Sequence, residues 1–275
     1  MELPDFKDKQ GIIRKLGLLM PTGEPLLMAK AYETLAYPIL TDAEIIKLIS
    51  NTERIPARQL FDDHWVKEGD QSTHGSCNGW MTASMLSKIR WKRGIRDGVV
   101  MSGSYIYAWI NGNKDQGSSL SKDVDILTKY GAPPASLVPA NLIYRKQMPK
   151  SADAEAAKHK GFVMYYTDDL QAWKSGVALG GVGGMAVQVD SRFKNYSGNG
   201  IVPPAHGGGN HAVHADDIVT YKGELCIDSP NNWGLGWGNK GRGLFSFDSV
   251  EETSKVHKFW IMFTSTESSN TVAGE

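Results

Sequence analysis

The sequence predicts an α+β protein whose helices come first and whose strands follow, leaving a cleft where the two halves meet. Three observations carry this reading. Helical spacing with recognisable starts and stops runs from Cys77 to Tyr130. After about residue 160, short runs rich in Val, Ile, Tyr and Phe are punctuated by Gly, Pro and Asn. The glycines cluster in that second half, at 180–184, 198–200, 207–209 and 234–243, where turns and close backbone approaches are expected.

Taken in order, residues 1–52 read as helical and partly amphipathic. Thr41-Asp-Ala-Glu44 has the spacing of a capping box ahead of Ile45, Ile46, Leu48 and Ile49. Pro21, Pro25 and Pro38 divide the stretch before it. No chemistry is apparent there, so residues 1–54 are assigned as an N-terminal extension: a covering arm, a docking segment or a pro-segment. From Ile55 to Asp70 the chain turns polar and irregular, and Asp62-Asp63-His64-Trp65 reads as a solvated loop because other metal ligands at suitable spacing are lacking.

Ser76 is the expected N-cap of a helix opening at Cys77, with Trp80, Met81, Met85 and Ile89 as its buried stripe. Lys88, Arg90, Lys92 and Arg93 supply its polar side, and Gly94 stops it. Further helices are expected over 104–110 and 119–130, the second carrying Leu120, Val124 and Leu127 inward and ending at Gly131 and Pro133. Strands are expected at 162–166, 185–189, 211–215, 217–221, 224–228, 243–247 and 259–263. The main domain is bounded at 55–263, and the Ser/Thr-rich 264–275 reads as a flexible tail.

Composition narrows the function. Lys plus Arg (30) equals Asp plus Glu (30), so bulk charge favours neither nucleic acid nor an anionic membrane as partner. Two cysteines, Cys77 and Cys226, can build neither a disulfide framework nor a zinc cage, and no metal or other cofactor is expected. No signal peptide or membrane-crossing run is apparent, so the chain is expected in a reducing cytoplasm or carried in an assembly such as a virion.

Chemistry concentrates at Gln71-Ser-Thr-His-Gly-Ser-Cys77. A thiol at a helix N-terminus is favoured as thiolate, small neighbours Gly75 and Ser76 admit a substrate, and Gln71 offers an amide donor. Such a thiol needs a base. Gly207-Gly-Gly-Asn210-His211 puts an imidazole at the mouth of a strand. A hairpin turn centred between residues 222 and 223 would extend one ribbon until His211 lay opposite about Gly234, and Asn231 opposite about His214. Asn231 would orient the ring and Trp233 would shield it. His206 and His214 are alternative bases; His214, three residues along, faces the other side of the strand. Cys226 reads as a buried structural thiol, Asp190 and Asp228 as solvated strand ends, and Trp233 and Trp237 as packing around Asn231 rather than a carbohydrate platform.

These residues resemble a family. Gln71-x5-Cys77 with Gly75-Ser76 is similar to the papain-type cysteine-peptidase signature Gln-Gly-x-Cys-Gly-Ser-Cys-Trp. Asn210-His211-Ala-Val resembles that family's histidine segment, and Asn231-Asn-Trp-Gly-Leu-Gly-Trp-Gly resembles its Asn-Ser-Trp-Gly-x-Gly-Trp-Gly. The resemblance implies a papain-like fold, with a helical left half and an antiparallel β-barrel-like right half. It implies Cys77 as nucleophile, His211 as base and then acid, Asn231 as orienting residue, and Gln71 with the Cys77 N–H as oxyanion hole. Gly117, Ser118 and Asn210 would contact a polypeptide substrate. The departures are Asn78 where the family has Trp, expected to alter the leaving-group wall; His74 where it has a disulfide cysteine; and Asn232 in place of Ser, which carries no evident consequence. The implied activity is endopeptidase. A catalytically silent module docked in an assembly such as a phage particle, or an amidase acting on peptidoglycan stem peptides, would use the same scaffold.

Overall fold

The computed structural model describes residues 5–19, 30–31, 37–50, 63–205, 210–251 and 258–264. His206, the proline-rich stretch around Pro21 and Pro25, and the tail beyond residue 264 lie outside them.

Helix α3 (Cys77–Lys92) is the axis of the molecule, and α4 (Gly103–Ile110) and α5 (Leu120–Tyr130) pack on it. The α3–α4 crossing depends on two glycines. A Cβ on Gly79 would lie 2.4 Å from the Gly103 carbonyl oxygen, and one on Gly103 would lie 2.4 Å from the Trp80 Cα. The sequence predicts an amphipathic α3, but the helix is buried almost all round because helices cover one side and a sheet the other. Lys88 and Arg90 are therefore inside and paired, and half-buried Lys92 donates to the Gly180 and Gly181 carbonyls. Lys88 Nζ lies 3.4 Å from Asp216, and Arg90 is 2.7 Å from Asp97. Ser76 occupies the N-cap position without capping, its buried Oγ lacking a partner. Ser102 does cap α4, accepting from the Tyr105 N–H.

The other half holds two sheets. The larger runs β3 (Lys30–Ala31), β4 (Phe162–Thr167), β10 (Phe259–Thr264), β5 (Val182–Gln188) and β6 (Asn210–Ala215). All its pairings are antiparallel except β3–β4. The smaller runs β7 (Asp217–Tyr221), β8 (Glu224–Pro230) and β9 (Arg242–Phe245). These are open sheets, with no closed barrel among the described residues. The β7–β8 register is as expected, Asp217 opposite Asp228 and Tyr221 opposite Glu224. The ribbon does not continue into β6, however. At Asp216 the chain leaves one sheet for the other, and β6 pairs with β5 so that His211 faces Val187. Asp216 is what the corner is built on: its N–H donates to the Asp228 carbonyl, and its buried carboxylate binds Arg242 at 2.7 Å and His214 at 3.0 Å. Asp228 is also inside, 3.2 Å from Arg242, rather than a solvated strand end. Asp190 instead caps the short helix α8 (Ser191–Lys194).

Two further expectations change. Helices α2 (Asp63–Glu68) and α7 (Leu170–Ala178) form where a loop and no element, respectively, were expected. Asp169 caps α7 by accepting from the Gln171 and Ala172 N–H groups. Helix α1 (Asp42–Ser50) follows its capping box, but the described residues before it are not helical. Residues 5–19 are extended, with β1 (Asp5–Lys7) paired antiparallel to β2 (Ile13–Lys15) around Gly11. An isolated extended strand satisfies few of its own backbone groups, and this one finds its partners in the cleft.

Candidate active site

The site assembles from three places. Cys77 opens α3, where first-turn N–H groups and the helix dipole favour negative charge. His211 is the second residue of β6. Asn231 follows β8, its N–H donating to the Gly241 carbonyl. The His211 ring Nε2 and Asn231 Oδ1 are 2.8 Å apart. Because a side-chain carbonyl oxygen only accepts, this bond places the imidazole proton on Nε2 and leaves Nδ1 as the basic nitrogen. Nδ1 is buried without a partner. The Trp233 ring lies over the imidazole, centroids 4.6 Å apart, and Phe193 meets it edge-on at 6.2 Å. Trp233 is 1% exposed and Trp237 3%, so both are core rather than a platform for a sugar.

Ala212, next along β6 from His211, directs its N–H at the Cys77 sulfur, as does Gly17. The second contact is decisive for the state of the site, because Gly17 belongs to the N-terminal segment. That segment lies across Cys77. A Cβ on Gly17 would come 1.8 Å from the Gly75 carbonyl oxygen, so only glycine fits between the strand and the nucleophile loop. On one side the Gln71 amide Nε2 donates to the Lys15 carbonyl at 3.1 Å. On the other, the Ser118 N–H donates to the Gly17 carbonyl and the Leu19 N–H to the Ser118 carbonyl, each at 2.8 Å, a parallel pairing of Leu18 with Ser118. Gly117 approaches so closely that a Cβ there would sit 2.4 Å from the Gly17 oxygen. The strip expected to hold substrate, Gly117 and Ser118, thus holds the protein's own chain. Asn210 lies opposite Gln188 in the β5–β6 register.

Charged groups fasten the segment. Arg14 is buried between Asp8 (2.9 Å) and Asp70, and its Nη2 donates to the Trp233 carbonyl at 2.7 Å. Lys15 binds Asp115 at 2.9 Å. Asp115 also accepts from the Gly75 N–H at 2.9 Å and Tyr107 OH at 3.0 Å, and lies 3.5 Å from His74 Nδ1. Burial pulls this carboxyl up, but His74, Lys15 and the Gly75 N–H together hold it below the ordinary carboxylate range. His74, standing where the family has a disulfide cysteine, thus makes a noncovalent tie.

Burial sets the charge state of the site. Burial pushes the Cys77 thiol up to about 11, despite the N–H groups aimed at it, and the nearby Asp123 carboxyl adds to the rise. Burial pushes His211 down to about 4, opposed by Asn231 and aided by Arg14. Near neutral pH both groups are uncharged, Cys77 a thiol and His211 an imidazole. Asp123, fully buried on α5, is itself raised by burial to about 8.

Several contributions were not anticipated from the sequence. Asn78 is fully buried, and its Nδ2 donates to the Ser118 carbonyl at 2.6 Å, so it ties the start of α3 to the 117–118 strip. Asn232 is a junction, its Nδ2 donating to the Cys77 carbonyl (3.1 Å) and the Ala212 carbonyl (3.3 Å). Gln71, besides reaching Lys15, donates from Nε2 to the His74 carbonyl at 2.6 Å. His214 faces away from His211's partners, toward Asp216, and Cys226 is a buried free thiol. For Gly17 a signal was present, a lone glycine inside Leu16-Gly-Leu18-Leu19, but nothing in the sequence said what it would meet.

No protein-family model and no curated protein matches the chain. Solved structures do. Xylellain, a cysteine protease from Xylella fastidiosa, superposes with a TM-score of 0.61 at 18% identity, over 96% of this chain and 99% of that one. Digestive procathepsin L2 from Tenebrio molitor larval midgut gives 0.64 at 17% identity, over 91% and 78%. A recombinant stem bromelain precursor gives 0.58 at 16% identity, over 91% and 83%. The fold is that of the papain-like cysteine proteases.

Proposed function

We propose that the protein is a papain-like cysteine endopeptidase held at rest by its own N-terminal arm. The observation that carries the reading is the 2.8 Å His211–Asn231 bond under Trp233, formed on the strand whose next residue contacts the thiol at the start of α3. In the open enzyme His211 Nδ1 takes the Cys77 proton, and the thiolate attacks a peptide carbonyl carbon. The tetrahedral oxyanion is met by Gln71 Nε2 and the Cys77 N–H. Collapse breaks the C–N bond, His211 returns the proton to the departing amine, and a thioester remains. A water molecule, deprotonated by His211, attacks the thioester; collapse releases the acid and restores the thiol.

Residues 1–54 act as the arm and 55–263 as the peptidase domain in this reading. Gln71 supports it from an unexpected direction: its amide already holds a peptide carbonyl, that of Lys15. The arm therefore engages the groups that would otherwise bind substrate at Gly117, Ser118 and Gln71.

The test uses full-length protein with the arm loosened by Gly17→Ala, a quenched-fluorescence peptide library and iodoacetamide. Hydrolysis that vanishes in Cys77→Ala, with Cys77 alkylated faster than a free thiol at neutral pH, is the expected result. Ordinary thiol reactivity together with hydrolysis indifferent to Cys77→Ala would sink the reading.

A further inference from the structure

We infer that Asn232 is a positioning residue for the Cys77–His211 pair, an inference that rests on the endopeptidase reading for its catalytic consequence. The nucleophile and the base arrive from opposite halves of the molecule, Cys77 on α3 and His211 on β6. Something must fix their separation, since a displacement of about 1 Å between reacting groups can cost on the order of 10² in rate. Asn232 spans that seam with three bonds. Its Nδ2 donates to the Cys77 carbonyl at 3.1 Å and to the Ala212 carbonyl at 3.3 Å. Its own carbonyl accepts from the Gln71 N–H at 2.9 Å. One residue thus touches the backbone of the nucleophile, the backbone next to the base, and the oxyanion donor, while being covalently joined to Asn231.

The chemistry of the side chain matters. Both acceptors are carbonyl oxygens, so only a donor serves, and the two hydrogens of one amide nitrogen can serve both. A hydroxyl has one hydrogen and a shorter reach. Burial strengthens the case, because the residue is 7% exposed and water competes poorly for these carbonyls. Behind the seam Asn232 also lines a cavity of about 30 Å³, with Asn231, His214 and Arg242. Truncation would enlarge that space and let the two halves drift.

The experiment compares Asn232, Asn232→Ala and Asn232→Ser in the full chain carrying Gly17→Ala. For Asn232→Ala the expected result is a fall in kcat of about 10- to 100-fold with KM within about twofold, and a shifted acid limb of kcat/KM. Asn232→Ser, which restores one donor, should recover part of the loss. Unchanged kcat and an unchanged pH profile in Asn232→Ala overturn the proposal while leaving the endopeptidase reading intact. A second measurement does not need turnover: the His211 imidazole is titrated by NMR in the same chains. A displacement of its midpoint by more than about half a pH unit in Asn232→Ala supports the positioning role. No displacement overturns it. A parent chain with no hydrolysis and ordinary Cys77 reactivity sinks the endopeptidase reading alone, and the titration then decides for Asn232. If Asn232→Ala does not fold, Asn232→Ser carries both comparisons.

Discussion

At the residue scale, Gln71 shows how one side chain acquires two opposed duties. In the proposed mechanism its amide meets the developing oxyanion, and in the covered protein it binds the Lys15 carbonyl. Gln71→Ala is therefore expected to lower kcat of the opened enzyme about 10²- to 10³-fold. The same substitution removes an anchor of the arm, so alkylation of Cys77 in the otherwise unmodified chain should accelerate. A variant slowed in both assays would show that Gln71 acts only through folding. Cys77, His211 and Asn231 were legible in the sequence as candidate site residues because each sits in a distinctive local string, and the 2.8 Å His211–Asn231 bond brings two of them together. Asn232 was not, because its worth lies in two carbonyls 155 and 20 residues away. Lys88 likewise reads as a surface cation until α3 is seen to be enclosed; burial then lowers its ammonium to about 7, opposed by Asp216.

At the element scale, the arm is the largest surprise. Its composition has helical features, yet residues 5–19 lie extended because the cleft offers backbone partners that a lone helix of this length could not match. The path is fixed sterically at Gly17 and electrostatically at Arg14. With a Cβ placed 1.8 Å from the Gly75 oxygen, Gly17→Ala should unseat the arm and raise the rate of Cys77 alkylation at least about tenfold. Arg14→Ala leaves Asp8 and Asp70 facing one another without their cation, a change of the kind that costs about 3–5 kcal/mol when the pair is buried. Its effect on alkylation should be at least as large. Equal alkylation rates in wild type and both variants would mean the arm is not what shields the thiol. The β6–β7 corner was misread for a related reason. Register arithmetic assumes an uninterrupted ribbon, and the Asp216 carboxylate, bound by Arg242, His214 and Lys88, turns the chain at the point where that assumption fails.

At the scale of the whole molecule, opening of the proposed arm is expected to depend on pH. In the covered state His211 titrates at about 4, against an ordinary 6.5. A group depressed in one state binds fewer protons there, so the His211 contribution to covering is full above the ordinary value and is lost as pH falls toward 4, while that of Cys77, raised to about 11, is lost in the opposite direction at alkaline pH. If opening restores the ordinary value, the swing is at most roughly 3 kcal/mol. Fluorescence assays of arm release should therefore show opening that rises between about pH 6.5 and 4 in wild type, and a flatter response in His211→Gln. An identical acid response in that variant would assign the effect to other groups. The overall division into a helical and a strand-rich half was readable from periodicity and glycine placement. The two open sheets and α7 were not, since they depend on pairings such as β10 between β4 and β5, made across the length of the chain.

The burial of Cys77 beneath Gly17 bears on how long the protein keeps in an oxidising medium. Peroxide attacks thiolates that it can reach, and the resting sulfur is neither ionised nor accessible. Cys226 is buried too. A stock left closed should tolerate hydrogen peroxide for hours and remain fully activatable, whereas the Gly17→Ala chain should lose its nucleophile to sulfenic acid within minutes under the same exposure. Mass spectrometry of the Cys77 peptide would follow the difference.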